Sequence, residues 1–136
     1  MAEPISVIPK IAWLHIKSRR LLGVRSKGRV LFYVPGGKPE AGESDNAALK
    51  REILEELGVQ LIDSSIGRYG YFLAPADRQN GTAVGITAYT GDYSGTLNPS
   101  AEIAEQRFLS SSDGEDVVSP VTFVILQHLK AAHVID

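Results

Sequence analysis

Residues 37–59, GKPEAGESDNAALKREILEELGV, constrain this chain most, because they place glutamates 52, 55 and 56 on what local signals mark as one helix. Ser44 is a favourable N-cap, Asp45 suits the positive end of a helix dipole, and Gly58 is a natural terminator. The spacing therefore predicts a helix from Asp45 to Leu57. At about 100° per residue, Glu55 and Glu56 fall about 60° and about 40° to either side of Glu52, so the three carboxylates share an arc of roughly 100°. Leu49, Ile53, Leu57, Leu54 and Ala47 occupy the arc from about 60° to about 220°, the stripe expected to face a core. Lys50 interrupts that stripe and is expected to snorkel out of it.

Like charges three and four residues apart on a helix cost roughly 0.2–0.5 kcal/mol per pair, and a surface chosen for stability alone would interleave lysines. A hard divalent cation prefers carboxylate oxygens and turns the repulsion into attraction. Arg51 stands beside Glu52 and four residues before Glu55, close enough to pair with a carboxylate and orient it. A glutamate-rich helix face by itself is commonly a solvated surface; the residues around this one decide the matter.

Those residues resemble a known pattern. A glycine, five residues, a glutamate, seven residues, then Arg-Glu-apolar-x-Glu-Glu-x-Gly-apolar is the Nudix box. Gly37, Glu43, Arg51, Glu52, Ile53, Glu55, Glu56, Gly58 and Val59 match it without departure. The resemblance implies an α+β fold, a Nudix-type α/β/α sandwich with a mixed sheet and a loop–helix–loop box. It implies a hydrolase that splits a nucleoside-diphosphate-linked substrate at its pyrophosphate, using Mg²⁺ or Mn²⁺. Glu52, Glu55 and Glu56 are then the metal ligands, joined by the backbone carbonyl of Gly36. Glu43 and Arg51 hold the loop and the glutamates in place, and Gly37 and Gly58 shape the box. The general base is expected at Glu52, or on the later loop at Glu102 or Glu105.

The rest of the chain is consistent with such a fold. Residues 5–16 read as a strand interrupted at Pro9, and 20–25 with 29–34 as a hairpin about Ser26-Lys27-Gly28. Pro35-Gly36-Gly37 is expected to end the hairpin and open a loop to Ser44. Strands are expected at about 66–74, 82–93 and 105–109, the first two joined by a turn-rich stretch at 75–81. A second helix begins at Ser119-Pro120, with Val121, Val124, Ile125, Leu129 and Ala132 on its buried face. The order strands, helix, strands, helix favours an α+β sandwich over a repeated βαβ unit.

Composition adds exclusions. The 136 residues contain 43% hydrophobic and 22% charged residues, enough to bury a core, and are read as one domain, 1–136. With no cysteine, disulfides, thiolate metal sites and cysteine nucleophiles are excluded. A net charge of −2 gives no bulk attraction to nucleic acid or to an anionic membrane. No signal peptide or membrane span is evident, which makes the expected location cytoplasmic.

Outside the box, Lys17, Arg19, Arg20, Arg25, Lys27 and Arg29 make the N-terminal hairpin basic. Arg25, and Lys38 just after the box glycine, are the candidates to face a substrate phosphate. Among the aromatics, Tyr33, Tyr69, Tyr71, Phe72 and Phe108 are candidates to stack on a base, although strand aromatics are more often core. The short chain resembles the MutT-like members, which favours a nucleoside 5′-triphosphate or related small nucleotide as the partner. Pro75, sixteen residues past Val59, keeps an ADP-ribose or nucleotide-sugar pyrophosphatase as the alternative. A nucleotide-sensing module without turnover is the non-enzyme alternative, disfavoured by the complete set of box glutamates. Homodimers are frequent in the family, so a homodimer is one assembly the resemblance allows.

Overall fold

The computed structural model describes residues 6–76 and 81–136. Strand β1 (Ser6–Trp13) is followed by the short β2 (Ile16–Lys17), by β3 (Arg20–Ser26) and by a two-residue strand β4 (Gly36–Gly37). Helix α1 (Asp45–Leu57) leads into β5 (Gln60–Leu61), a 3₁₀ turn at 63–65, β6 (Gly67–Pro75) and β7 (Thr82–Thr90). Then come β8 (Tyr93–Ser94), β9 (Ile103–Leu109) and α2 (Pro120–Ala131). One sheet runs β4-β1-β7-β6, mixed because β1 and β7 are parallel while the other pairs are antiparallel. A second, antiparallel sheet runs β2-β3-β9, and β5 pairs with β8. Among the described residues no helix is long and apolar enough to cross a membrane.

Helix α1 forms with the expected bounds. Ser44 Oγ accepts from Ala47 N–H, and Gly58, at φ 69°, ends the helix by donating to Leu54 O. Its buried residues are Ala48, Leu49, Ile53 and Leu57, so the stripe is narrower than expected: Leu54 is 47% exposed and Ala47 is exposed too. Lys50 does reach outward, its Nζ 3.2 Å from Asp63 Oδ1. Burying a leucine or isoleucine is worth roughly 1.5–3 kcal/mol. Three such residues outweigh like-charge costs of a few tenths of a kcal/mol per pair, so the core stripe lets α1 carry an electrostatically unfavourable face.

Alternation along the strands divides the core in two. Ile11 and Trp13 of β1, with Leu22 and Val24 of β3, pack against α1. Ala12, Leu14 and Leu21 point the other way and pack with Phe72, Ile86, Ile125 and Leu129 under α2. The result is a sheet layer between two helices.

Four local expectations are corrected. Pro9 does not interrupt β1, which pairs continuously with β7 from Ser6 to Trp13. The N–H of Trp13 points to Pro35 O and that of Leu14 to Tyr89 O, so alternation aims the Pro9 nitrogen away from β7. On that side β4 pairs only with residues 11 and 12, and no ladder bond is lost. Gly36 and Gly37 do not merely open a loop; they form β4. Residues 29–34 form no full strand: Val24 and Tyr33 exchange both backbone bonds at 2.8 Å, but the partner of β3 along its length is β9. Helix α2 buries Val121, Thr122, Ile125, Leu126 and Leu129, leaving Val124 and Ala132 outside. Thr122 tolerates burial because its hydroxyl lies 2.8 Å from that of Ser119, the N-cap. Of the turn-rich stretch 75–81, residues 77–80 lie outside the described residues.

Candidate active site

The box folds as a loop tied to its own helix. Arg51 donates Nε to Glu43 Oε2 at 2.9 Å and Nη2 to Glu43 Oε1 at 3.0 Å. Its Nη1 reaches Glu52 Oε1 at 2.8 Å, and Nη2 also reaches Lys38 O at 3.3 Å. Glu43 is held further by the Glu40 N–H at 2.9 Å. These donors keep the Glu43 carboxyl at about 2, well below the ordinary range, with the Arg51 hydrogen bonds first among the causes.

The glycines of β4 fit the glutamates. A Cβ on Gly37 would lie 2.6 Å from Glu52 Cδ and 2.8 Å from both carboxylate oxygens, so that side chain packs where only glycine leaves room. Gly36 N–H donates to Glu56 Oε2 at 3.3 Å. Burial pushes the Glu56 carboxyl well above its ordinary range, and the neighbouring Glu52 charge adds to this, against the opposing Gly36 hydrogen bond.

The loop before β9 closes the far side. Asn98 N–H donates to Leu57 O, and Ser100 donates N–H to Glu56 O and Oγ to Glu55 O, taking up carbonyls that the end of a helix leaves unpaired. That docking brings Glu102 to the box. A small cavity of about 210 Å³ is lined by Glu52, Glu55, Glu56, Glu102, Gly36 and Ser26, among others. Glu105 goes elsewhere: it sits opposite Arg25 in the β3–β9 register and accepts from Arg25 Nε and Nη2 at 3.2 Å each. Arg25 and Glu105 thus spend their charges on one another, and neither lines the cavity. The Lys38 side chain is exposed, while its carbonyl serves Arg51.

The donor set fits a hard divalent cation. Four carboxylates surround one cavity, Arg51 pairs with only one of them, and Glu56 is buried beside a second negative charge. Among the described residues no three acidic or histidine side chains already converge at metal-binding distances. Glu52 leans on Arg51 and Glu56 on Gly36.

Through Gly36, Glu56, Ser26 and Ile103 the small cavity adjoins a larger one of about 390 Å³ between the sheet and α2. Its walls are mostly apolar, with Lys10, Arg29 and Tyr33 also facing it. Tyr33 is the only one of the sequence-proposed aromatics on this lining; Phe72 is core. Lys10 and Ser26 escaped the sequence reading. The signal for Lys10 was available: residues 8, 10 and 12 share one face of β1, and Lys10 is the one charge among them.

Fold and site together define a class: a mixed-sheet α/β/α sandwich whose first helix and preceding loop present an acidic cluster beside an apolar cavity. The family model for the NUDIX domain matches residues 12–123, and the chain belongs to the Nudix family. Many solved structures share the fold. The MutT Nudix hydrolase from Burkholderia pseudomallei has a TM-score of 0.72 at 20% identity, over 90% of this chain and 97% of that one. The MutT protein from Methanosarcina mazei Go1 also reaches 0.72, at 17% identity, over 97% and 99%. A curated Mycobacterium tuberculosis protein named “Putative 8-oxo-dGTP diphosphatase 2” is 53% identical over 34 residues. That match spans 25% of this chain and 24% of the relative.

Proposed function

We propose that the chain hydrolyses the pyrophosphate bond of a nucleoside-diphosphate-linked substrate, with Mg²⁺ as its cation and Mn²⁺ as a substitute. A nucleoside 5′-triphosphate is the leading substrate. The observation that carries this reading is the junction of the two cavities at Gly36 and Glu56. An acidic pocket suited to cations and phosphates opens there into an apolar pocket of nucleoside size. The name of the mycobacterial relative, a diphosphatase of an oxidised deoxyguanosine triphosphate, agrees with a triphosphate.

Glu52, Glu55 and Glu56 would hold the ion, with the Gly36 carbonyl beside them. The chemistry a divalent cation supplies when bound is neutralisation of phosphate oxygens and acidification of a water. The chain's own part is positional. Arg51 fixes Glu52, the 98–100 segment fixes the end of α1, and Glu102 faces the glutamates across the small cavity. A carboxylate there takes the proton of the attacking water, and Glu52 and Glu102 are the two in place for it. Pro75 lines the larger cavity, which keeps ADP-ribose as the second reading.

The test is a panel of nucleotides with Mg²⁺ or Mn²⁺, reading phosphate and pyrophosphate release after coupling, on wild type and Glu56→Gln. The amide keeps the shape but loses the charge a hard cation needs, so turnover should fall by orders of magnitude with the fold intact. A variant retaining half the activity would overturn the metal assignment, and absence of turnover on every nucleotide would favour a sensing module.

A further inference from the structure

Three hydrogen bonds fix the turn that follows β3. Arg29 N–H donates to Ser26 O at 3.0 Å, with Gly28 at φ +75° between them, and Lys27 N–H donates to Glu102 O at 2.8 Å. Arg25 Nη1 donates to the Arg29 carbonyl at 3.0 Å. The turn thus uses the backbone of Arg29 and none of its side chain. Arg25 spends its guanidinium on Glu105 and on that carbonyl, whereas the Arg29 guanidinium has no hydrogen bond or ion pair among the described residues. Arg29 borders the larger cavity and not the small one, while Ser26, three residues before it, borders both. The ends of such a turn lie within about 7 Å of each other, a span that an extended arginine covers. The side chain can therefore reach the junction at Ser26, Gly36 and Glu56 from the nucleoside side. The small cavity has no cationic side chain on its wall; its charges are Glu52, Glu55, Glu56 and Glu102.

We infer that Arg29 binds the phosphate joined to the nucleoside, at a site that needs no metal, so that the two ends of the pyrophosphate are held by opposite means. A guanidinium presents forked donors that match two phosphate oxygens, and it is always charged. The phosphate beyond Glu56 meets only carboxylates and is held through a cation. The phosphate on the nucleoside side meets Arg29 directly. This inference rests on the proposed reading of the two joined cavities as a nucleotide site.

The test is calorimetry with dAMP, dGMP, dCMP and dTMP, their nucleosides and pyrophosphate, first in EDTA and then with Mg²⁺. In EDTA, wild type should bind at least one monophosphate about tenfold or more tighter than its own nucleoside. Pyrophosphate should bind only once Mg²⁺ is restored. Arg29→Gln should bring that monophosphate down to the affinity of its nucleoside. It should leave the nucleoside, and pyrophosphate with Mg²⁺, within about twofold of wild type, because neither carries the phosphate that Arg29 grips. Arg29→Lys keeps the charge but loses the fork and should fall between the two. Both variants should melt with wild type, since the turn is held by backbone. An unchanged monophosphate affinity in Arg29→Gln would make Arg29 a solvated rim residue and overturn the inference. Pyrophosphate binding in EDTA, or binding of none of the four monophosphates, would overturn it too. Turnover measured alongside keeps this apart from the hydrolase reading. Monophosphate binding that depends on Arg29, in a protein that turns over no triphosphate, would sink the hydrolase proposal and leave the arginine site standing. Turnover without such binding would do the reverse.

Discussion

Arg51 grips Glu43 with two hydrogen bonds, Nε to Oε2 at 2.9 Å and Nη2 to Oε1 at 3.0 Å, and with its remaining nitrogen reaches Glu52. A planar guanidinium matches a carboxylate in this forked way, which fixes orientation as well as distance. One side chain therefore couples the loop at Glu43 to the helix face at Glu52. The loop cannot shift without moving a candidate ligand.

Replacing Arg51 with alanine should consequently disorder the glutamates without removing a ligand. We expect apparent Mg²⁺ affinity to weaken about tenfold or more, with the lost rate partly restored at raised Mg²⁺. A magnesium titration of the activity decides this. An unchanged midpoint would reduce Arg51 to a surface residue.

The same fork has an acid-side consequence. Glu43 lies at about 2 in the folded protein against an ordinary value of 4.5, so its ionised form favours folding. That contribution is complete above 4.5 and is lost as the pH falls from there towards 2. Glu43→Gln should therefore have a thermal midpoint that falls less steeply than wild type across that window, when both are followed in chelator. Parallel curves would show that the fork adds nothing to stability.

The two glycines of β4 should respond oppositely to an added methyl group. Gly36 has φ +149°, and its Cβ would run into the Ile11 carbonyl and lie 2.8 Å from Ala12 Cα, backbone that cannot yield. Gly36→Ala should cost about 1–3 kcal/mol in stability. At Gly37 the obstacle is the end of the flexible Glu52 side chain, which can swing away. Gly37→Ala should melt near wild type while losing most of its turnover, because Glu52 is displaced. A fully active Gly37→Ala would mean that the position of Glu52 is not what the reaction needs.

The sequence revealed what local rules control. Helix α1 was legible to the residue because Ser44, Gly58 and the helical period act over a few neighbours. Strand β4 was not, since two glycines carry no strand preference and pair only because Ile11 and Ala12 lie alongside them. The buried face of α2 was misread at Val124 and Ala132, which stay outside, while Thr122 is buried because its hydroxyl finds Ser119 through the turn of the helix rather than through any apolar pattern. Glu102 and Glu105 looked equivalent as loop carboxylates; only the β3–β9 register, which sets Glu105 against Arg25, separates them. The large cavity collects Lys10, Arg29 and Tyr33 from segments far apart in the chain, and no short motif announces that meeting.

That separation sharpens the question of the general base. Glu105 is occupied by Arg25, so Glu105→Gln should leave both the Mg²⁺ titration and the saturated rate within about twofold of wild type. Glu52 and Glu102 both face the small cavity and should part by their metal dependence. A ligand variant shifts the titration and is rescued by more metal, whereas a base variant keeps the midpoint and lowers the saturated rate. It also flattens the rise of rate with pH, because that rise reports deprotonation of the missing group or of its water. Glu52 remains the expected base: it stands between Glu55 and Glu56 on the helix arc, and Arg51 holds it at 2.8 Å. Under saturating Mg²⁺ we therefore expect Glu52→Gln to collapse and Glu102→Gln to keep most of its rate. The reverse result would move the base to the loop that Ser100 docks on α1, leaving Glu52 a ligand alone.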